Sequence, residues 1–238
     1  YDDFGLTVHR VFRRIETSDK PTIAAINGWA LGGGMELMLC TDLRLMAAEA
    51  KIGLPEIKLG LFPGGGGSQR LMRQIPLSQA KMMMYTGDPI DAARAQALGL
   101  VNDVVPRAGL RDAAMALAQR LAANSAQALK LLKHAMLHGR EMPLDAALAY
   151  ERSVVGVLFD HPDVKEGCGA FVEKRPAAST PRVGPSPAER GPRYARGLWR
   201  ETPRPHDLRQ GNRRLRPRLP AAHRPHAQGA GRPGLGPG

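Results

Sequence analysis

The chain has 238 residues, 25.7 kDa and a net charge of +12, from 34 Lys and Arg against 22 Asp and Glu. That length fits one large domain or two small ones, and two cysteines, Cys40 and Cys168, are too few for a disulfide framework. No apolar run approaches the roughly 18 residues of a membrane span, and the cluster Arg10 to Arg14 precedes no apolar targeting core, so a soluble cytoplasmic protein is expected.

Val8, Val11, Phe12 and Ile15 recur at helical spacing, which predicts an amphipathic helix from about Asp3 to Glu16. Pro21 stops it. Thr22 to Ile26 is a short apolar run bounded by turn residues, hence a buried strand, and Asn27-Gly28 turns the chain. After Gly32-Gly33-Gly34 comes an apolar helical run, Met35 to Cys40, with Glu36 inside it. Asp42 to Ala47 returns as a strand, Pro55 to Ile57 lies in a loop, and Pro63 to Ser68 forms a second glycine turn before a helix from about Gln69 to Gln74.

From there the chain reads as mostly helical. Ser78 to Tyr85 and Asp91 to Leu98 are predicted helices with Gly87 and Gly99 in stop positions. Leu100 to Val105 is a short strand closed by Pro106, and Ala/Leu-rich helices follow at about 110–123, 126–138 and 143–159, with a last one from Val164 to Glu173. No repeat has a fixed period. The alternation in front and the bundle behind predict an α/β core with a helical C-terminal layer.

Pro176 to Gly238 is different in kind. It holds 13 Arg, 12 Pro and 9 Gly, no Lys, Ile, Met, Phe or Cys, and only Glu189, Glu201 and Asp207 as acids, a net of +10. The preceding 175 residues are close to neutral. Too few apolar groups remain in the tail to offset its ordering entropy, so it is read as disordered. A nucleic-acid-binding arm is one reading, but Tyr194 and Trp199 are its only stacking surfaces. A GC-rich gene read out of frame gives the same composition, and that reading is preferred.

The chemistry is expected at the first glycine turn. A strand running through three glycines into a helix exposes backbone N–H groups where the helix dipole favours developing negative charge. Gly33 is the candidate donor to an oxyanion, an interaction typically worth about 3–4 kcal/mol of barrier. Glu36 follows in the first helical turn and can face the same cavity. In isolation, close helix–strand contact and dipole complementation would be the favoured explanation of both. Neither glycine cluster has the spacing of a dinucleotide loop or the Lys-Ser/Thr of a phosphate loop, which excludes a nucleotide fold.

Lys20 to Leu37, with its Ala30-Leu31-Gly32-Gly33-Gly34-Met35-Glu36 centre, resembles the core motif of the enoyl-CoA hydratase/isomerase (crotonase) superfamily. So do Gly53-Leu54-Pro55-Glu56-Ile57, Gly60 to Leu71, Thr86-Gly87, Ala97 to Val101, Glu166-Gly167 and Phe171 to Arg175. Order and spacing agree from about Lys20 to Arg175. The resemblance implies a β/α spiral core, a helical trimerisation layer, an acyl-CoA thioester substrate, and a homotrimer or dimer of trimers. It also implies that Gly33 donates one of two N–H bonds to the thioester oxygen, while Glu36 activates water and Glu56 supplies the α-proton. Family isomerases, dehalogenases and decarboxylases typically alter one or both carboxylates, so Glu at 36 and 56 favours hydration. Coenzyme A would be part of the substrate, with no separate cofactor, and Lys174 would contact its nucleotide.

On this reading residues 1–105 form the spiral core, 106–175 the helical layer and 176–238 the tail. Family members carry strands ahead of the point where this chain begins, which supply the second oxyanion donor. Only 32 residues precede Gly33, so the core is read as N-terminally incomplete. The expected activity is enoyl-CoA hydration in β-oxidation or related acyl-CoA catabolism. The alternatives are a catalytically impaired fragment or scaffold, and an RNA-associated homologue; neither a membrane nor a nucleic acid is the expected partner. Met82 to Met84 and Cys40 are assigned to the core and Arg70 to local pairing. Cys168 has no partner His at a useful spacing. His134 and His138, four residues apart, lack a third metal ligand, and no metal is expected.

Overall fold

A computed structural model describes residues 2–177; the tail read as disordered lies, from residue 178 on, outside the described residues. The first helix, α1 (Asp2–Glu16), has Asp2 and Asp3 in its first turn and Arg13 and Arg14 in its last, each matched to the helix dipole. The chain then alternates between two small sheets. Strand β1 (Ile23–Ile26) enters the first sheet and β2 (Trp29–Leu31) the second; after α2 (Gly33–Leu39), β3 (Leu43–Ala47) returns to the first and β4 (Lys51–Gly53) to the second. This is the spiral.

A 3-10 turn over Pro55–Leu59 follows, then α3 (Gly67–Leu71), α4 (Leu77–Thr86), β5 (Ile90–Asp91), α5 (Ala92–Ala97) and β6 (Asp103–Val105). The first sheet has the order β1-β3-β6, all parallel; in the second, β2-β4-β5, only β5 runs antiparallel to its neighbour. As the central strand of the first sheet, with the helix Leu110–Ala122 packed on it, β3 buries Leu45, Met46 and Ala47 in succession instead of alternately, whereas the edge strand β1 buries only Ile26. Met35, Met38 and Leu39 of α2 fill the same core, one helical face against the sheets.

Helix α6 (Leu110–Ala122) buries Leu110 and packs on β1 and β3. Beyond it, α7 (Ala126–Gly139) and α8 (Leu144–Phe159) pack on each other, and α9 (Pro162–Val172) packs on α8. Polar contacts tie α7 to the start of β1 and the turn before β3: Lys133 Nζ meets Asp42 at 2.8 Å and Lys130 Nζ meets Asp19 at 2.9 Å.

The differences from expectation have local causes. Strands β2, β4 and β5 are two or three residues long and too short to show a period of two; they exist through pairing alone. Leu100 and Val101 are buried but not in a strand. Gly99, at φ 74°, ends α5 in the left-handed conformation, and Leu100 N–H then bonds back to Ala95 O at 2.9 Å. Pro55 presets φ for a helical turn, so Pro55 to Ile57 coils where a loop was predicted. Pro162 likewise starts α9 two residues earlier than predicted. Among the described residues no helix is long and apolar enough to cross a membrane.

Candidate active site

Gly32 adopts φ 54° and ψ −123°, a backbone conformation that side-chain-bearing residues rarely take, and this turns β2 into α2. Its N–H donates to Gly53 O at the end of β4 and its carbonyl accepts the first intrahelical bond from Glu36 N–H, both at 2.9 Å. No side chain caps α2, so by helix geometry the first-turn N–H groups lack intrahelical acceptors. Gly33 is exposed, and a Cβ there would meet nothing within 4 Å.

The far end of α2 is held by a residue that sequence reading did not single out. Arg44, a lone cation in an otherwise apolar strand, is buried, and its guanidinium donates to Met38 O at 2.7 Å, Thr41 O at 2.8 Å and Leu100 O at 3.1 Å. A cation at a helix C-terminus satisfies orphan carbonyls and complements the dipole. Its charge inside the apolar strand was the available signal.

Glu36 is 5% exposed. A buried carboxylate needs donors, and Glu36 Oε1 accepts from Gly65 N–H and Gly67 N–H, each at 2.8 Å. The glycine run is a cradle cut to this carboxylate. A Cβ on Gly65 would collide with Glu36 Oε2, and one on Gly67 would sit 2.9 Å from Glu36 Cγ. Gly66 is at φ 103°, with the Arg70 guanidinium where its Cβ would lie. Sequence reading found the turn but not its link to Glu36, which lies about thirty residues away.

Glu56 arrives from the 3-10 turn, which buried Leu54 anchors and Gly60 closes at φ 72°. Its carboxyl lies against the first glycine of the triplet: Oε1 is 3.1 Å from the position of a Cβ on Gly32. Among the described residues its Oε2 is buried without a hydrogen-bond partner. Burial pushes this carboxyl above its ordinary range, and the nearby charge of Glu36 pushes it the same way, against partial relief from a hydrogen bond to its own backbone. The two carboxyls therefore sit in unlike environments beside one glycine turn.

The remaining candidates lie elsewhere. Lys174 is exposed just past α9, at φ 54°. His134 Nε2 lies 3.2 Å from Asp19 and its ring 6.1 Å from that of His138; among the described residues no group of three or more potential ligands could hold a metal. Arg70, expected to pair locally, instead pairs with Glu16 of α1, 54 residues away. Met83 is buried and Met82 exposed. Cys40 is buried, its thiol pushed up to about 11 chiefly by burial, and it donates to Glu36 O at 3.1 Å, whereas Cys168 is exposed. A groove of about 530 Å³ lies between α7 and α8, lined by Leu132, Met136, Leu148 and Val155 among others, and neither Gly33 nor either carboxylate borders it.

Residues 1–180 match the family model described as enoyl-CoA hydratase/isomerase. The chain is 42% identical over 172 residues to a short-chain-enoyl-CoA hydratase of Clostridium acetobutylicum, covering 72% of this chain and 66% of that protein. It is 44% identical over 175 residues to a crotonyl-CoA hydratase of Syntrophomonas wolfei, covering 74% and 67%. A crystal structure of an enoyl-CoA hydratase from Bacillus anthracis superposes with a TM-score of 0.72 at 39% identity, over 74% of this chain and 68% of that one. The chain thus spans about two thirds of the length of these relatives.

Proposed function

The chain belongs to the enoyl-CoA hydratase/isomerase family, and from that premise we propose that it adds water across the 2,3 double bond of a 2-enoyl-CoA thioester to give a 3-hydroxyacyl-CoA. The observation that carries this reading is the pair of unlike carboxyls, Glu36 cradled by two N–H donors and Glu56 with a buried, partnerless oxygen. An ionised carboxylate only accepts hydrogen bonds, which suits Glu36 to its two donors and to taking a proton. A carboxyl whose burial favours the neutral form suits proton delivery.

The proposed step balances as follows. The water oxygen bonds to C3 while one of its protons passes to Glu36. The C2–C3 π pair moves toward the carbonyl, and charge gathers on the thioester oxygen against Gly33 N–H, at the start of α2. The proton of Glu56 then goes to C2, and the thioester carbonyl re-forms. A final transfer from Glu36 to Glu56 restores both. The exposed, unobstructed backbone at Gly33 supports its assignment to the oxyanion.

The finer assignments belong to the same proposal. Residues 1–105 would carry the chemistry and 106–175 the assembly of a homotrimer or dimer of trimers through the apolar faces of α7 and α8. Lys174 would contact the nucleotide of the substrate's coenzyme A, no separate cofactor being needed, and the setting would be cytoplasmic acyl-CoA catabolism such as β-oxidation. The test is hydration of crotonyl-CoA, followed as loss of enoyl absorbance. The expected outcome is turnover that Glu36→Gln and Glu56→Gln each lower by about 10²–10⁴-fold. A folded chain with no turnover would instead support a scaffold.

A further inference from the structure

Glu36 is oriented by a turn that has no side chains of its own to hold it. Residues 64–67 are all glycine, so neither rotamer stiffness nor apolar contact from within the turn fixes its register. The fixing contacts come from outside. The peptide that presents Gly65 N–H to Glu36 has Gly64 O at its other end, and His9 Nε2 of α1 meets that oxygen at 2.8 Å, so Nε2 is the donor. Gly65 O in turn accepts from Arg70 Nη1 at 3.2 Å.

Arg70 is itself held from α1. Its Nε and Nη2 donate to the two carboxylate oxygens of Glu16, both at 3.2 Å, a bidentate fork between side chains only 16% and 20% exposed. Burial raises the Glu16 carboxyl, but hydrogen bonds from Arg70 and Arg13 outweigh it and hold it below its ordinary range. A continuous line of bonds therefore runs from Glu16 through Arg70 and Gly65 to Glu36.

We propose that Arg70 and Glu16 are positioning residues for Glu36: their ion pair, spanning α1 and α3, sets the glycine turn against the carboxylate. The aim of the proposed base then depends on a helix that supplies no group to the reaction. The kinetic consequence rests on the hydratase reading above; the geometric one does not. Arg70 bonds the Gly65–Gly66 peptide, next to the one that donates to Glu36, so it acts by placing the backbone; misplacement of a reacting group by about 1 Å can cost on the order of 100-fold in rate. Lysine at position 70 would keep the charge but could not bridge Glu16 and Gly65 O together.

The experiment uses the full chain labelled with 15N-glycine, and compares wild type with Arg70→Ala, Arg70→Lys, Glu16→Gln and the Arg70→Ala/Glu16→Gln double variant. The expected result is that the Gly65 and Gly67 amide resonances move and their exchange protection falls about tenfold or more. Crotonyl-CoA kcat should fall roughly 10- to 100-fold with KM changed less than about twofold. Arg70→Lys should fall between, and the double variant should be no worse than Arg70→Ala, since both cut one line. Unmoved glycine amides, or kcat losses that simply multiply in the double variant, would overturn the proposal. If Arg70→Ala does not fold, Arg70→Lys and Glu16→Gln decide it by the same readouts. If wild type turns over no crotonyl-CoA, the hydratase reading fails, and the amide readout alone still decides whether the pair sets the turn.

Discussion

Helices α2 and α8 are both rich in apolar residues, yet they reach opposite ends in this fold. Over seven residues α2 buries Met35, Met38 and Leu39 at 3% exposure or less, while α8, with sixteen, buries none of its own. The cause is what surrounds them. Helix α2 lies among the strands and α3, and Arg44 satisfies its last carbonyls. Helix α8 has α7 on one side and α9 at its end, and leaves Leu144 and Leu148 at 72% and 50% exposure. Carboxylate geometry is thus set within one chain, whereas the apolar faces of the helical layer suit the cover that a second copy would provide under the proposed trimer.

That contrast can be broken or sharpened by substitution. The largest effect on stability is expected from Arg44→Met, which removes the guanidinium donors to Met38 O, Thr41 O and Leu100 O and should cost about 2–4 kcal/mol in urea unfolding. Gly65→Ala should cost about 1–3 kcal/mol, because its methyl meets Glu36 Oε2, and it should remove activity along with stability. A Gly65→Ala protein with wild-type turnover would mean that Glu36 needs no cradle.

A smaller, pH-dependent effect is expected at Glu56. Its folded-state carboxyl is raised, so the proton is bound more tightly in the folded chain than in the unfolded one. Its contribution is therefore fully present below the ordinary carboxylate range and is lost as pH rises through the raised value. Glu56→Gln should raise the melting temperature at neutral pH, and the gain should vanish in acid. An equal gain at both ends would assign the effect to something other than ionisation. The smallest effect on the isolated chain is expected for Leu148→Glu, within about 0.5 kcal/mol in urea unfolding at low protein concentration. The same variant should lower the mass measured by light scattering if α8 is an assembly face.

The main helices, the glycine triplet with Glu36 after it, and Glu56 after a proline were legible in the sequence, because each is a pattern within a few residues. Helical spacing marked α1, and the apolar run marked β1. Three things were decided only by tertiary structure. Strands of two or three residues, β2, β4 and β5, have no period to read and form because a partner strand is in place. The donors to Glu36 come from positions 29 and 31 residues downstream, a distance at which no local pattern specifies contact. The chain from Glu16 through Arg70 to the glycine turn joins residues 54 apart. Backbone preferences and hydrophobic period act between near neighbours, so they name the groups; only the folding of the spiral brings donors and carboxylates within bonding distance and excludes the water that would otherwise compete for them.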